Sequence, residues 1–128
     1  MRVEDLMVKE VATIPQDTSI EQAIKTFYNK RLGSLIITDE EGKCKGILTH
    51  TDVFRAIIKK IPLDSSVEKV MSKNVITVSE NDSFSKAREL MCRHRIRHLP
   101  VTDRKGCAVG VLSIRHIFDE ISGFKKRA

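Results

Sequence analysis

The chain has no tryptophan, and aromatics make up only 5% of its 128 residues. That leaves an aliphatic core as the expected interior. No apolar run approaches the roughly 18 residues that a membrane-spanning helix needs. The amino terminus, Met1-Arg2-Val3-Glu4-Asp5, carries acids and lacks the apolar stretch of a secretory signal, so a cytosolic location is expected. Cysteine is scarce and odd in number: Cys44, Cys92 and Cys107 form no C-x-x-C pair. Free thiols in a reducing compartment are the simplest account. There is no G-x-x-x-x-G-K-[ST] loop, and no Ser, His or Asp is arranged as a recognisable nucleophile–base pair. Nothing argues for an enzyme. Cys92, His94 and His98 come nearest to a metal-ligand set, but Arg93, Arg95 and Arg97 interleave with them and would repel a cation. No metal is expected.

Acidic charge is in deficit. Lysine and arginine number 23 against 17 aspartates and glutamates, a net charge of +6. That excess suggests an anionic partner: a phosphorylated metabolite, a nucleic acid or an acidic protein face. Much of it sits in Arg93-His94-Arg95-Ile96-Arg97-His98 and in the tail Lys125-Lys126-Arg127. The tail reads as a solvated terminus. The internal run borders apolar residues that must be buried, and a solvated face does not explain it.

What the chain does have is a duplication. Gly46-Ile47-Leu48-Thr49-His50-Thr51-Asp52 reads as a strand end turning into a helix, and Gly110-Val111-Leu112-Ser113-Ile114-Arg115-His116 echoes it 64 residues later. The offset runs without a gap from Val3/Val67 to Phe54/Phe118, with identity at 16 of 52 positions. Unrelated segments of ordinary composition would share about three. Repeat 1 therefore occupies 1–62, a short linker 63–66 and repeat 2 67–128. A unit of about 60 residues is marginal alone, so the two are expected to share a core.

In repeat 1, Val3 to Met7 is a short amphipathic lead-in, and Val11-Ala12-Thr13-Ile14 reads as a strand closed by Pro15. Thr18-Ser19-Ile20-Glu21 fits a capping box, where hydroxyl and carboxylate each satisfy an orphan backbone donor. Ile20, Ala23, Ile24 and Phe27 follow with the one-sided period of a helix. Leu35-Ile36-Ile37 is a buried strand, and Asp39-Glu40-Glu41-Gly42-Lys43 is a turn with glycine available for positive φ. Cys44 to Leu48 returns as a strand. A helix opens over Thr49 to Asp52, with Val53, Phe54, Ile57, Ile58 and Ile61 as its buried stripe and Pro62 as its stop. Repeat 2 predicts a strand over Val75–Val78 and a helix over Ser83–Arg93. A hairpin of Leu99–Val101 and Ala108–Leu112 follows around Gly106, then a helix from Arg115 to Phe124. Each repeat is thus β-α-β-β-α, an α+β unit with two helices on one side of a small sheet. Two such units are expected to pack sheet to sheet about a pseudo-two-fold axis.

With these elements in place, the chain resembles a tandem pair of CBS domains, a Bateman module. The segments that carry the likeness are Val11–Ile14 and Val75–Val78, Gly33–Asp39 and Arg97–Asp103, and the two glycine-led stretches. They cover nearly the whole chain, which looks like a stand-alone pair, whereas many relatives sit inside enzymes such as IMP dehydrogenase, channels or kinase subunits. The resemblance implies a sensor that binds adenine nucleotides (AMP, ADP or ATP) or S-adenosylmethionine in clefts between the repeats, with no catalytic cofactor. It also implies a disc-like homodimer, formed through helices, that signals to a regulated protein by a shift in shape.

Carried over by position, the main cleft combines Ile47, Thr49, Thr51 and Asp52 with Asn74, Val75, Ile76, Ile96, Arg97, His98 and Pro100. In the family pattern the aspartate accepts both ribose hydroxyls, and the threonines and basic residues meet phosphate. The chemistry agrees: a carboxylate can accept two neighbouring hydroxyls, the first turn of a helix offers free N–H groups, and Arg97 adds a charge-assisted bond. The second cleft pairs Glu10, Val11, Ala12, Leu32, Gly33 and Ser34 with Ser113, Arg115 and His116. Here His116 replaces the ribose-binding aspartate. A neutral imidazole cannot accept two hydroxyls and imidazolium accepts none, so this cleft is expected to be degenerate.

Other readings stand beside these. Thr51 and Asp52 suit a helix N-terminus with no ligand, and Gly46 and Gly110 suit strands that another segment approaches closely. As a whole, the chain could instead bind nucleic acid through its basic surface, although it lacks stacking aromatics and a reading helix. It could also be a dimerisation module without ligand.

Overall fold

Small polar residues set where the helices begin, and alternating apolar residues set the strands between them. The structure, a computed structural model, describes residues 1–123. The basic tail at Lys125–Arg127 and the expected helix end at Phe124 lie outside the described residues. In chain order the elements are α1 (Val3–Leu6), β1 (Thr13–Pro15), α2 (Ile20–Lys30), β2 (Ser34–Thr38), β3 (Cys44–Thr49) and α3 (His50–Ile58). A 3₁₀ turn (Val67–Lys69) follows, then β4 (Val78–Ser79), α4 (Phe84–His94), β5 (His98–Thr102), β6 (Ala108–Ser113) and α5 (Ile114–Ser122). The order β-α-β-β-α therefore occurs twice, as read from the sequence.

Each repeat builds a three-stranded sheet, β1-β2-β3 and β4-β5-β6, its first pair parallel and its second antiparallel. The hairpin turns form as expected, with Gly42 at φ 82° and Gly106 at φ 84°. Asp39 closes the first turn by accepting from the backbone N–H groups of Glu41 and Lys43 at 2.9 and 3.0 Å. Asp103 does the same for Lys105 and Cys107.

Several local expectations shift. The cap of α2 is Ser19, whose hydroxyl accepts from Gln22 N–H at 3.1 Å, so the Thr18/Glu21 capping box does not form. Pro15 belongs to β1, paired with Thr38, while Val11 and Ala12 lie before that strand. The strand expected over Val75–Val78 shrinks to Val78–Ser79. The buried stripe of α3 is narrower than its composition implies: Val53 and Ala56 are buried, but Phe54, Ile57 and Ile58 are exposed.

In space the chain divides into two compact units, one Ala12–Val75 and the other Met1–Val11 with Ile76–Ala128. The partition at 1–62 and 67–128 follows the sequence repeats, and the compact units are displaced from it. Each unit joins the sheet of one repeat to the lead-in of the other. In the first unit, Ile14, Leu35, Ile37 and Leu48 of the sheet pack under Ile20, Ala23 and Phe27 of α2 and Val53 and Ala56 of α3. Val67 and Met71 from the second lead-in complete this core. In the second unit, Val78, Leu99, Val101 and Leu112 pack with Ala87 and Met91 of α4 and Ile117 of α5, and Val3 and Leu6 of α1 complete it. Backbone bonds fix both lead-ins. Ile47 and Ser72 exchange N–H···O bonds of 3.1 and 3.0 Å in one unit, as Val8 and Val111 do at 2.8 and 3.1 Å in the other. Among the described residues no helix is long and apolar enough to cross a membrane.

Candidate functional site

In the first unit, β3 runs without a break into α3, and the backbone donors at that junction need partners. Thr49 is the N-cap, and Asp52, three residues on, turns back to it. Asp52 Oδ2 accepts from Thr49 N–H at 2.9 Å and from Thr49 Oγ1 at 3.2 Å, and Oδ1 accepts from Arg55 Nη1 at 3.1 Å. The carboxylate is 5% exposed, and among the described residues it is the one buried charged side chain. Burying a carboxylate is costly unless donors surround it. Here three donors and the positive end of α3 do so. The capping role is therefore realised. A carboxylate offers about four lone-pair positions, and three are occupied, which leaves room for one further donor.

The other first-unit residues carried over for the main cleft are grouped by the lead-in. Ile47 pairs with Ser72, which brings the segment leading to exposed Asn74 and half-buried Val75 beside β3, and Thr51 is exposed on the first turn of α3. The first-unit part of the second cleft also lies close by. Ser34 faces Thr49 across the sheet, the Ala12 carbonyl accepts from Ile36 N–H at 3.1 Å, and Gly33 is exposed. His50, which is not among the expected site residues, joins the two groups. Its Nε2 lies 2.9 Å from the Leu32 carbonyl, so that nitrogen carries the proton. Its ring meets Phe27 edge-on at 4.9 Å. The sequence gives no signal for His50. Arg55 could have been found from its i+3 spacing to Asp52.

The second unit holds the remaining residues. Pro100 is fully buried in β5, His98 faces Ser113 across the sheet, and Ile76 and Ile96 pack half-buried against the core. Arg97 is exposed, and its carbonyl accepts from Ile114 N–H at 3.0 Å. For the second cleft, Glu10 is exposed and Val11 half-buried on the lead-in, while Arg115 is exposed on α5. Ser113 caps α5, its Oγ accepting from His116 N–H at 3.5 Å. The His116 ring points along the helix, with Nε2 3.8 Å from Glu120 Oε1. No carboxylate stands at this position, so the two helix starts differ chemically although the backbone order is the same. Each unit thus gathers its own share of both residue sets.

The second unit also carries an open depression of about 290 Å³, lined by Met91, Cys92, Arg95, Ile96, Arg97 and Ile114. Elsewhere, burial pushes the Cys44 thiol up from its ordinary value. Asp39 is held below the usual carboxylate range: partial desolvation raises it, but N–H donors from Lys43 and Glu41 and the charges of Lys45 and Lys43 outweigh that.

The CBS domain family matches the chain twice, over residues 3–59 and 67–123. The chain belongs to the CBS domain family. This CBS pair is similar to part of a homoserine O-acetyltransferase of Methanohalophilus mahii, 34% identical over 113 residues that make up 88% of this chain and 23% of that enzyme. The chain spans about a quarter of the length of this enzyme and of several other curated relatives it matches. Among solved structures it is similar to the CBS domain pair of protein MJ0100 in complex with 5'-methylthioadenosine and S-adenosyl-L-methionine. There the TM-score is 0.87 and the identity 29%, over 98% of both chains. It is also similar to the CBS domain protein PAE2072 from Pyrobaculum aerophilum complexed with AMP, with TM-score 0.85 and 27% identity, over 96% of this chain and 99% of that one.

Proposed function

We propose that this CBS pair is a non-catalytic sensor that binds an adenosine compound and passes its occupancy to a partner protein as a change of shape. The observation that carries the reading is the full-length likeness to two CBS pairs whose structures hold AMP or adenosyl ligands. The Thr49–Asp52 helix start supports it from within the chain. It holds a carboxylate and a hydroxyl where a ribose could exchange for groups already bonded there, beside the free N–H groups of a helix N-terminus. The main site is the one to which the first unit contributes Asp52 and its helix start. The His116 set is the weaker one, because it has no carboxylate acceptor.

A ligand shifts shape only as far as it binds two shapes differently. The expected reader is a regulated protein, or a second copy of this chain. For the second copy, α3 and α5 expose the same apolar face at equivalent repeat positions: Phe54 and Phe118, Ile57 and Ile121. Faces of this kind suit a self-complementary homodimer. A cytosolic setting agrees with the free thiols of Cys44 and Cys92. The nucleic-acid reading is the less supported one: Arg93 of the basic run is already paired with Glu89, and the chain offers few aromatics on which bases could stack. The test is calorimetry with AMP, ADP, ATP and S-adenosylmethionine on the wild-type chain and on Asp52→Asn. Binding by the wild type that weakens in the variant supports the reading. No heat from any of the four at millimolar ligand removes it.

A further inference from the structure

Asp52 is held from two directions, and the two are not equivalent. Its Oδ2 accepts from the N–H and the hydroxyl of Thr49, the residue that caps α3. Its Oδ1 accepts from Arg55 Nη1 at 3.1 Å, about one turn further along the helix. The Thr49 bonds belong to the capping box, which closes the helix start without Arg55. Arg55 adds a charge-assisted bond, yet its side chain is 51% exposed against 6% for that of Asp52. A guanidinium so placed passes into water when its bond breaks. The Thr49 N–H is fixed in the backbone, and the hydroxyl sits on that same residue. The second repeat carries the relation with basic and acidic partners exchanged. At the positions equivalent to Asp52 and Arg55 stand His116 and Asp119, and Glu120 Oε1 lies 3.8 Å from His116 Nε2.

A ribose diol asks more of this carboxylate than the free protein leaves open. With three of about four lone-pair positions taken, one hydroxyl fits. The second needs a position that already has a donor. We propose that Arg55 is the donor displaced: a built-in competitor that holds Asp52 in the empty protein and yields it to the diol. This role rests on the proposed adenosine reading of the Asp52 site and adds to it a residue outside the expected set. Arg55 thereby lowers the affinity for ribosides and leaves untouched a ligand that presents a single hydroxyl. It is a specificity-determining residue, which sets how sharply the site tells a riboside from its 2'-deoxy form.

The experiment is calorimetry on the full chain with AMP, ADP, ATP and S-adenosylmethionine, and with 2'-deoxy-AMP and 2'-deoxy-ATP as one-hydroxyl probes. Arg55→Met removes the donor while keeping a long side chain and a good helix former. It is expected to tighten the ribosides roughly threefold to tenfold, between the worth of an exposed ion pair and that of a bond to a buried charge. The 2'-deoxy forms keep their affinity. Arg55→Lys, which retains the cation without its planar fork, is expected to gain less. It carries the same comparison if melting curves show Arg55→Met unfolded. A loss of affinity that a merely structural role would cause falls on both ligand classes, whereas displacement changes the ratio between them. Riboside binding that is unchanged or weaker without the arginine, or a gain shared equally by the 2'-deoxy forms, overturns the competitor role and leaves the sensor reading standing. Binding that appears only once Arg55 is replaced upholds both. If no ligand binds the wild type or either variant, both fall.

Discussion

At Gly110 an added Cβ would stand 2.6 Å from Met7 Sδ and 2.9 Å from the Val8 carbonyl oxygen. At Gly46 the three nearest atoms all belong to the Met71 side chain, with Sδ at 2.4 Å. The glycines that lead the duplicated stretch are therefore seats for the methionines of the lead-ins, which is the close approach expected of a strand glycine. A methionine side chain can swing aside and a backbone carbonyl in a bridge cannot. Gly110→Ala is expected to cost about 1–3 kcal/mol, the usual range of overpacking, and Gly46→Ala clearly less, by urea denaturation. Equal costs would contradict this seating. Asp39 carries a pH effect of known sign. Its folded pKa lies below the ordinary 3.8, so the stability it adds is fully present above that value and is lost as pH falls through the lowered folded one. Melting temperatures from pH 7 to 3 should show Asp39→Asn with a flatter acid limb than wild type. Asp52 was legible as a helix-capping residue, by position and by type. Its three internal bonds were not, because the sequence does not give the rotamer that turns the carboxylate back onto Thr49 rather than outward.

Element by element, the hairpins and helices were readable because aspartate and glycine fix the turns and small polar residues fix the caps. The misreadings have physical causes. Thr18 and Ser19 are both competent caps, and periodicity alone does not choose between neighbours. In α3, apolar residues at 53, 54, 56, 57 and 58 cover much of the circumference, so the pattern does not say which arc faces the core. The exchange of lead-ins was hidden for a different reason. A sequence repeat looks the same whether each copy closes on itself or completes its neighbour. Because Leu6 on α1 is buried against the second repeat's sheet, Leu6→Ala should cost about 2–5 kcal/mol as a core truncation. In hydrogen exchange the loss of protection should fall on β5 and β6. Loss confined to β2 and β3 would contradict the exchange.

For the whole molecule, the duplication supplies two chemically unequal helix starts on one backbone plan: a buried carboxylate at Asp52 and a histidine beside Glu120 at His116. On the proposed reading, one strong and one weak adenosine site per chain is the expected stoichiometry. The apolar faces of α3 and α5 belong to the same scale. Sedimentation should give a dimer for wild type and a monomer for Phe54→Glu combined with Ile121→Glu, while a monomeric wild type would leave those faces to another partner. The most direct measurement is isothermal calorimetry of AMP, ADP, ATP and S-adenosylmethionine on wild type and Asp52→Asn, with melting curves on both apo proteins. The account expects one dominant site per wild-type chain, filled by at least one of these ligands and weakened in a variant that remains folded. Binding that is untouched by the change at Asp52, or absent for every one of the four ligands, would contradict it.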